Sequence, residues 1–127
     1  MKNHRKKVVV IVDDDADWRE FIMDVTESLG FETVEAATAE KALDASRNLI
    51  VDIAVIDVFM PGKGGLWLID EIKAQHPGIK IVSTSGGYQT MSGSKAMLAA
   101  AKIGSDSILP KPARVDELEK IITELAG

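Results

Sequence analysis

The sequence has no cysteine, which excludes disulfides, zinc thiolate centres and thiol chemistry and leaves a reducing compartment open to the chain. It has no apolar run near the roughly 20 residues that a membrane span needs. The basic start Met1–Lys7 is followed only by Val8–Val12 before Asp13 interrupts, too short for a signal-peptide core. The expected location is therefore the cytoplasm, with no membrane contact. Excess positive charge is also missing: 20 acidic residues stand against 15 basic ones, a net charge of −5. The chain as a whole thus lacks the footprint of a nucleic-acid binder, and no direct nucleic-acid binding is expected. The cluster Lys2, His4, Arg5, Lys6 and Lys7 is a local exception, read as a solvated basic tail over residues 1–6.

What is present is a globular balance. Hydrophobic residues make up 46% and charged residues 28%, far from the composition of a disordered chain. A length of 127 residues suits one core. The expectation is a single domain over residues 7–126 that folds alone.

The hydrophobic pattern alternates between strand and helix. Val8–Val12 is a continuous β-branched run, as in a strand buried on both faces of a parallel sheet. From Asp17 onward Trp18, Phe21, Ile22, Val25 and Leu29 recur at helical spacing, with Gly30 where a C-terminal cap belongs. Glu32–Ala36 reads as a second strand, and Thr38 caps a helix whose inward face is expected to carry Ala42, Ala45 and Leu49. Ile53–Ile56 runs into Asp57, Met60-Pro61-Gly62 breaks the chain, and Leu66, Ile69 and Ile72 restart helical spacing until His76-Pro77-Gly78. A strand through Ile79, Ile81 and Val82 ends in Ser83-Thr84-Ser85 and the turn Gly86-Gly87. An alanine-rich helix from about Gly93 to Ile103 follows. Ser107–Leu109 gives a fifth strand, and Val115, Leu118, Ile121, Ile122 and Leu125 mark the last helix. Five strand-then-helix units with short connections predict an open, doubly wound parallel sheet covered on both faces.

In such sheets the working site lies beyond the carboxyl ends of the strands. Those positions hold Asp13-Asp14-Asp15, Asp57, Ser85 and Lys111. In a strand order beginning 2-1-3, two or three carboxylates converge there, and unpaired they would repel and raise one another's pKa. A hard divalent cation relieves that repulsion, and Mg²⁺ does so while keeping waters for an incoming phosphate. Lys111 adds a second, mobile positive charge. Singly, each residue has an ordinary reading as a cap, a turn residue or a surface lysine; the joint pattern at four strand ends is the informative one.

With those residues in view, the chain resembles the receiver domain of two-component response regulators from about Lys7 to Leu125. The matching motifs are the run into Asp13-Asp14-Asp15, Asp57-Val58-Phe59-Met60-Pro61 with Gly65 four residues on, and Ser85-Gly86-Gly87. Ala101 through Gly104 and Leu109-Pro110-Lys111-Pro112 complete them. The resemblance implies a flavodoxin-like three-layer α/β/α sandwich with strand order 2-1-3-4-5. It implies Asp57 as phosphoacceptor and Mg²⁺ held by Asp13, Asp14, Asp57 and the backbone carbonyl of Phe59. Lys111 and Ser85 would contact the phosphoryl group, and Asp15 would start a helix. A cis Lys111–Pro112 bond is also implied. The donor would be a histidine kinase or histidine phosphotransfer protein. The output would be a downstream protein partner or homodimer on the face made by helix four, strand five and helix five. Beyond its own phosphoryl transfer and autodephosphorylation, no enzymatic activity is expected.

One position departs from the family pattern: Ile108, three residues before Lys111, stands where many members carry a switching aromatic ring. The competing readings are a haloacid-dehalogenase-like phosphatase using Asp13 in an Asp13-x-Asp15 motif, and a receiver-like interaction module without signalling.

Overall fold

The computed structural model describes residues 5–60, 64–85 and 98–127. Each segment read as a strand forms one: β1 Val8–Val12, β2 Glu32–Ala36, β3 Ile53–Asp57, β4 Lys80–Ser85 and β5 Ser107–Pro110. They make one parallel sheet in the order β2-β1-β3-β4-β5. Helices α1 Ala16–Ser28, α2 Ala39–Ser46, α3 Gly64–Gln75 and α5 Val115–Ala126 alternate with them, and α4 is the helical stretch 98–103. The expected turn at Gly86-Gly87, the break at Pro61-Gly62 and the start of α4 near Gly93 lie outside the described residues.

The strand pleat divides the core in two, because successive side chains point to opposite faces. Val10, Val12, Ala54, Ile56 and Ile81 pack against Ala39 and Ala42 of α2, Leu68, Ile69 and Ile72 of α3 and Ala100 of α4. Val9, Ile11, Ile53, Val55, Val82 and Leu109 pack on the other face against Ile22 and Val25 of α1 and Leu118 and Ile122 of α5. This is the doubly wound sandwich that the pattern predicts.

Helix ends follow their caps. Asp15 Oδ1 accepts from the backbone N–H of Asp17 and Trp18 to start α1, Thr38 caps α2 through the Lys41 N–H, and Gly30, at φ 93°, ends α1. The expected inward face of α2 is corrected. The helix buries Ala39, Ala42 and Ser46, whereas Ala45 and Leu49 are exposed. Ser46 tolerates burial because its Oγ donates to the Ala42 carbonyl at 2.7 Å, and Leu49 lies past the end of the helix. At the opposite end of the sheet from the acidic residues, Asp52 accepts the Val8 N–H at 2.8 Å and a two-pronged bond from Arg5 at 2.9 and 3.1 Å.

Candidate functional site

The pleat that sorts the core also builds the site. Asp13 continues the row of Val9 and Ile11, Asp57 that of Ile53 and Val55, and Lys111 that of Leu109. All three therefore emerge on the α1/α5 side of the sheet at its carboxyl end. One carboxylate oxygen from each of Asp13, Asp14 and Asp57 falls within 4.8 Å of the others, with Asp13 and Asp57 buried and Asp14 exposed. Three hard oxygen donors at that spacing fit a small divalent cation.

Each buried acid is held in place. The Asp13 N–H donates to the Ala36 carbonyl at 3.1 Å, so the end of β1 stays laddered to β2. Its Oδ1 accepts the Asp15 N–H at 2.8 Å, and its Oδ2 forms an ion pair with Lys111 Nζ at 2.6 Å. Asp57 Oδ1 accepts the Phe59 N–H at 2.9 Å, and Oδ2 lies 3.5 Å from Lys111 Nζ. Burial pushes the Asp57 carboxyl up to about 6, and the neighbouring charge of Asp13 adds to the rise. The Phe59 N–H and Lys111 work against it. For Lys111, burial favours the neutral amine, but Asp13 and Asp57 outweigh it and leave the ammonium titrating above its usual range.

Ser85 is the final residue of β4 and fully buried, rather than following the strand, and its carbonyl accepts the Lys111 N–H at 3.3 Å. The Lys111–Pro112 bond is cis, as the resemblance implies. Phe59 meets Asp57 through its backbone, and its ring is 46% exposed beside the site. Asp15 Oδ1 caps α1, the helix-start place that the resemblance implies. Behind Asp57, α3 comes so close that a Cβ on Gly65 would stand 2.1 Å from the Asp57 carbonyl oxygen.

Three neighbours of the site carry no signal in the sequence motifs. Trp18 places its ring 5.3 Å from Lys111 Nζ, within cation–π range. Arg19 donates from Nη1 to the Asp13 carbonyl and from Nε to Glu35, each at 2.7 Å. The one available hint is position: Trp18 and Arg19 lie in the first turn after the Asp15 cap, facing the acidic loop.

Comparison with known proteins gives the same frame. The response regulator receiver domain model matches residues 9–123. The chain is 33% identical over 108 residues to the chemotaxis protein CheY of Thermotoga maritima, covering 84% of this chain and 86% of that protein. It is 33% identical over 115 residues to a cyclic di-GMP phosphodiesterase of the same organism, covering 91% of this chain but 30% of the relative. It is 34% identical over 119 residues to the sensor kinase CckA of Brucella abortus, covering 92% of this chain and 12% of the relative. The chain thus spans less than a third of the length of these two multi-part relatives. The crystallised receiver domain of NtrX from Brucella abortus superposes with a TM-score of 0.83 at 28% identity, covering 92% of this chain and 96% of that one. A CheY-like receiver domain protein from Methanospirillum hungatei gives 0.83 at 28%, covering 96% and 95%. No helix among the described residues is long and apolar enough to cross a membrane. A CheY-like sheet order, acids gathered where that order turns, and a family match over nearly the whole chain make this protein a member of the response regulator receiver domain family.

Proposed function

We propose that this chain is the phosphoacceptor of a two-component or phosphorelay system in the cytoplasm, taking a phosphoryl group from a phosphohistidine donor onto Asp57. The observation that carries the reading is the convergence of Asp13, Asp14 and Asp57 within 4.8 Å beside the Lys111 ammonium. Asp13, Asp14, Asp57 and the Phe59 carbonyl are the residues to hold Mg²⁺. When bound, the ion offsets the carboxylate charge and the charge of the transferring group. An Asp57 Oδ attacks phosphorus in line; the P–N bond to the donor imidazole breaks, a P–O bond to Asp57 forms, and the imidazole takes up a proton. Lys111 neutralises charge on the phosphoryl oxygens, and the Ser85 hydroxyl donates to them. At pH 7 a carboxyl titrating near 6 is mostly ionised and so competent as the nucleophile.

The output is a changed binding surface, since a ligand shifts a conformational equilibrium only through differential affinity. The face made by α4, β5 and α5 suits that role. Leu98 and Ile103 of α4, Ile108 of β5 and Val115 of α5 are apolar and exposed at 65%, 37%, 40% and 50%, as expected of a surface that meets a downstream protein or a second copy. Beyond its own phosphorylation and autodephosphorylation the domain needs no catalysis.

The test is mass-spectrometric mapping of phosphate after incubation with Mg²⁺ and a phosphorylated histidine donor. Phosphate on Asp57, lost in Asp57→Asn and without Mg²⁺, is the expected result. Phosphate on Asp13 would establish the phosphatase-like alternative instead, and no phosphorylation at all would leave a receiver-like interaction module.

A further inference from the structure

Asp14 differs from its two partners. It is exposed, and its carboxylate makes no hydrogen bond or ion pair among the described residues, so only its backbone can aim it. That backbone is held on both sides: the Asp15 N–H, in the peptide group that follows Asp14, donates to Asp13 Oδ1 at 2.8 Å, and the peptide group before Asp14 is held by Arg19. The carbonyl of Asp13, which belongs to the peptide group joining Asp13 to Asp14, accepts from Arg19 Nη1 at 2.7 Å. The same guanidinium donates from Nε to Glu35 Oε1 at 2.7 Å. Glu35 precedes Ala36, whose carbonyl accepts the Asp13 N–H. Because the guanidinium is planar and presents its donors in a fixed fork, fixing Nε on Glu35 fixes where Nη1 points. The Arg19 side chain is largely shielded, at 16% exposure.

We infer that Arg19, oriented by Glu35, is a positioning residue for the acidic site: it locks the Asp13–Asp14 peptide plane and thereby aims the Asp14 carboxylate at the metal position. The inference rests on the metal reading given above. Charge alone makes the opposite prediction. Removing a cation from beside a cation site should strengthen metal binding, whereas removing a positioning group should weaken it, typically 10–100-fold for groups that orient metal ligands.

The experiment is a Mg²⁺ titration followed by tryptophan fluorescence on wild type, Asp14→Asn, Arg19→Gln, Arg19→Lys and Glu35→Gln, each with its thermal unfolding midpoint. Arg19→Gln is expected to bind Mg²⁺ roughly ten-fold more weakly. Arg19→Lys, which keeps one donor, should fall between, and Glu35→Gln should show a smaller loss. An Arg19→Gln affinity equal to or tighter than wild type overturns the inference. So does a loss that merely follows the unfolding midpoint across the variants, the mark of a residue that only supports the fold. A wild-type chain without Mg²⁺ response, or an Asp14→Asn variant that binds like wild type, removes the metal reading itself and the inference with it.

Discussion

Lys111 Nζ lies 2.6 Å from Asp13 Oδ2 but 3.5 Å from Asp57 Oδ2, so in this state the ammonium is committed mainly to Asp13 rather than to the proposed phosphoacceptor. Its influence on Asp57 is still in the direction of ionisation. Lys111→Met should therefore move the Asp57 carboxyl from about 6 to a higher value, read by NMR titration of the ¹³C-labelled carboxyl group. An unchanged or lower value would show that Lys111 does not act on Asp57.

The raised Asp57 carboxyl has a cost to the fold. The folded chain holds this proton more tightly than the unfolded one, so stability falls as pH rises from about 4, the unfolded value, through about 6. Asp57→Asn removes the ionisation. It should stabilise the protein at pH 7 by on the order of 3 kcal/mol, because each tenfold difference in proton affinity between the folded and unfolded chain is worth about 1.4 kcal/mol. The gain should vanish near pH 4. Urea unfolding between pH 4 and pH 8 checks both the sign and the window.

Gly65 tests how tightly α3 is seated behind the site. A Cβ there meets the Asp57 carbonyl oxygen at 2.1 Å and Val58 Cα at 2.7 Å, both backbone. Gly65→Ala should cost about 1–3 kcal/mol or more and weaken Mg²⁺ binding by displacing the end of β3. Gly78 has nothing within 4 Å, and Gly78→Ala should be neutral or stabilising by up to about 1 kcal/mol. Paired denaturation curves separate the two.

Thr84 pairs in register with Asp57, is fully buried, and its Oγ1 has no hydrogen-bond partner among the described residues. A buried hydroxyl without a partner costs about 1–3 kcal/mol. Thr84→Val keeps the shape and removes the hydroxyl, so it should raise stability by about 1 kcal/mol, measured by urea unfolding. A loss would mean that the hydroxyl is satisfied in solution.

Phe59 sets a half-exposed ring beside Asp57. A polar replacement gives water a hydrogen-bonding group there, and Phe59→Asn should shorten the life of the aspartyl phosphate. Decay of phosphorylated protein after removal of the donor measures it; equal rates would remove any role of the ring in excluding water.

Periodicity makes the strands legible because a strand buried on both faces is apolar without interruption, and Val8–Val12 and Ile53–Ile56 have no other economical reading. The site follows, since Asp13, Asp57 and Lys111 sit where those runs end. The face of α2 is not legible, because a serine bonded to its own helix is as easily buried as an alanine, and spacing alone does not reveal where the helix stops. Arg19, Glu35 and Trp18 are hidden for a different reason. Their partners are a backbone carbonyl, a side chain across an element boundary and an ammonium, and none of these leaves a sequence pattern.

The shared pleat of Val9, Ile11 and Asp13, of Ile53, Val55 and Asp57, and of Leu109 and Lys111 has a consequence for length changes in this chain. Because side chains alternate with a period of two, adding or removing one residue within β1 or β3 inverts every later position of that strand. Both faces of β1 and β3 are apolar and buried, so the core would receive apolar side chains of altered shape while the cluster loses one of its carboxylates. Such an insertion should therefore cost the chemistry before it costs the scaffold. Insertions in the connection after Ser46 turn no carboxylate away, so the tolerance of the site to indels should change abruptly at the strand boundaries.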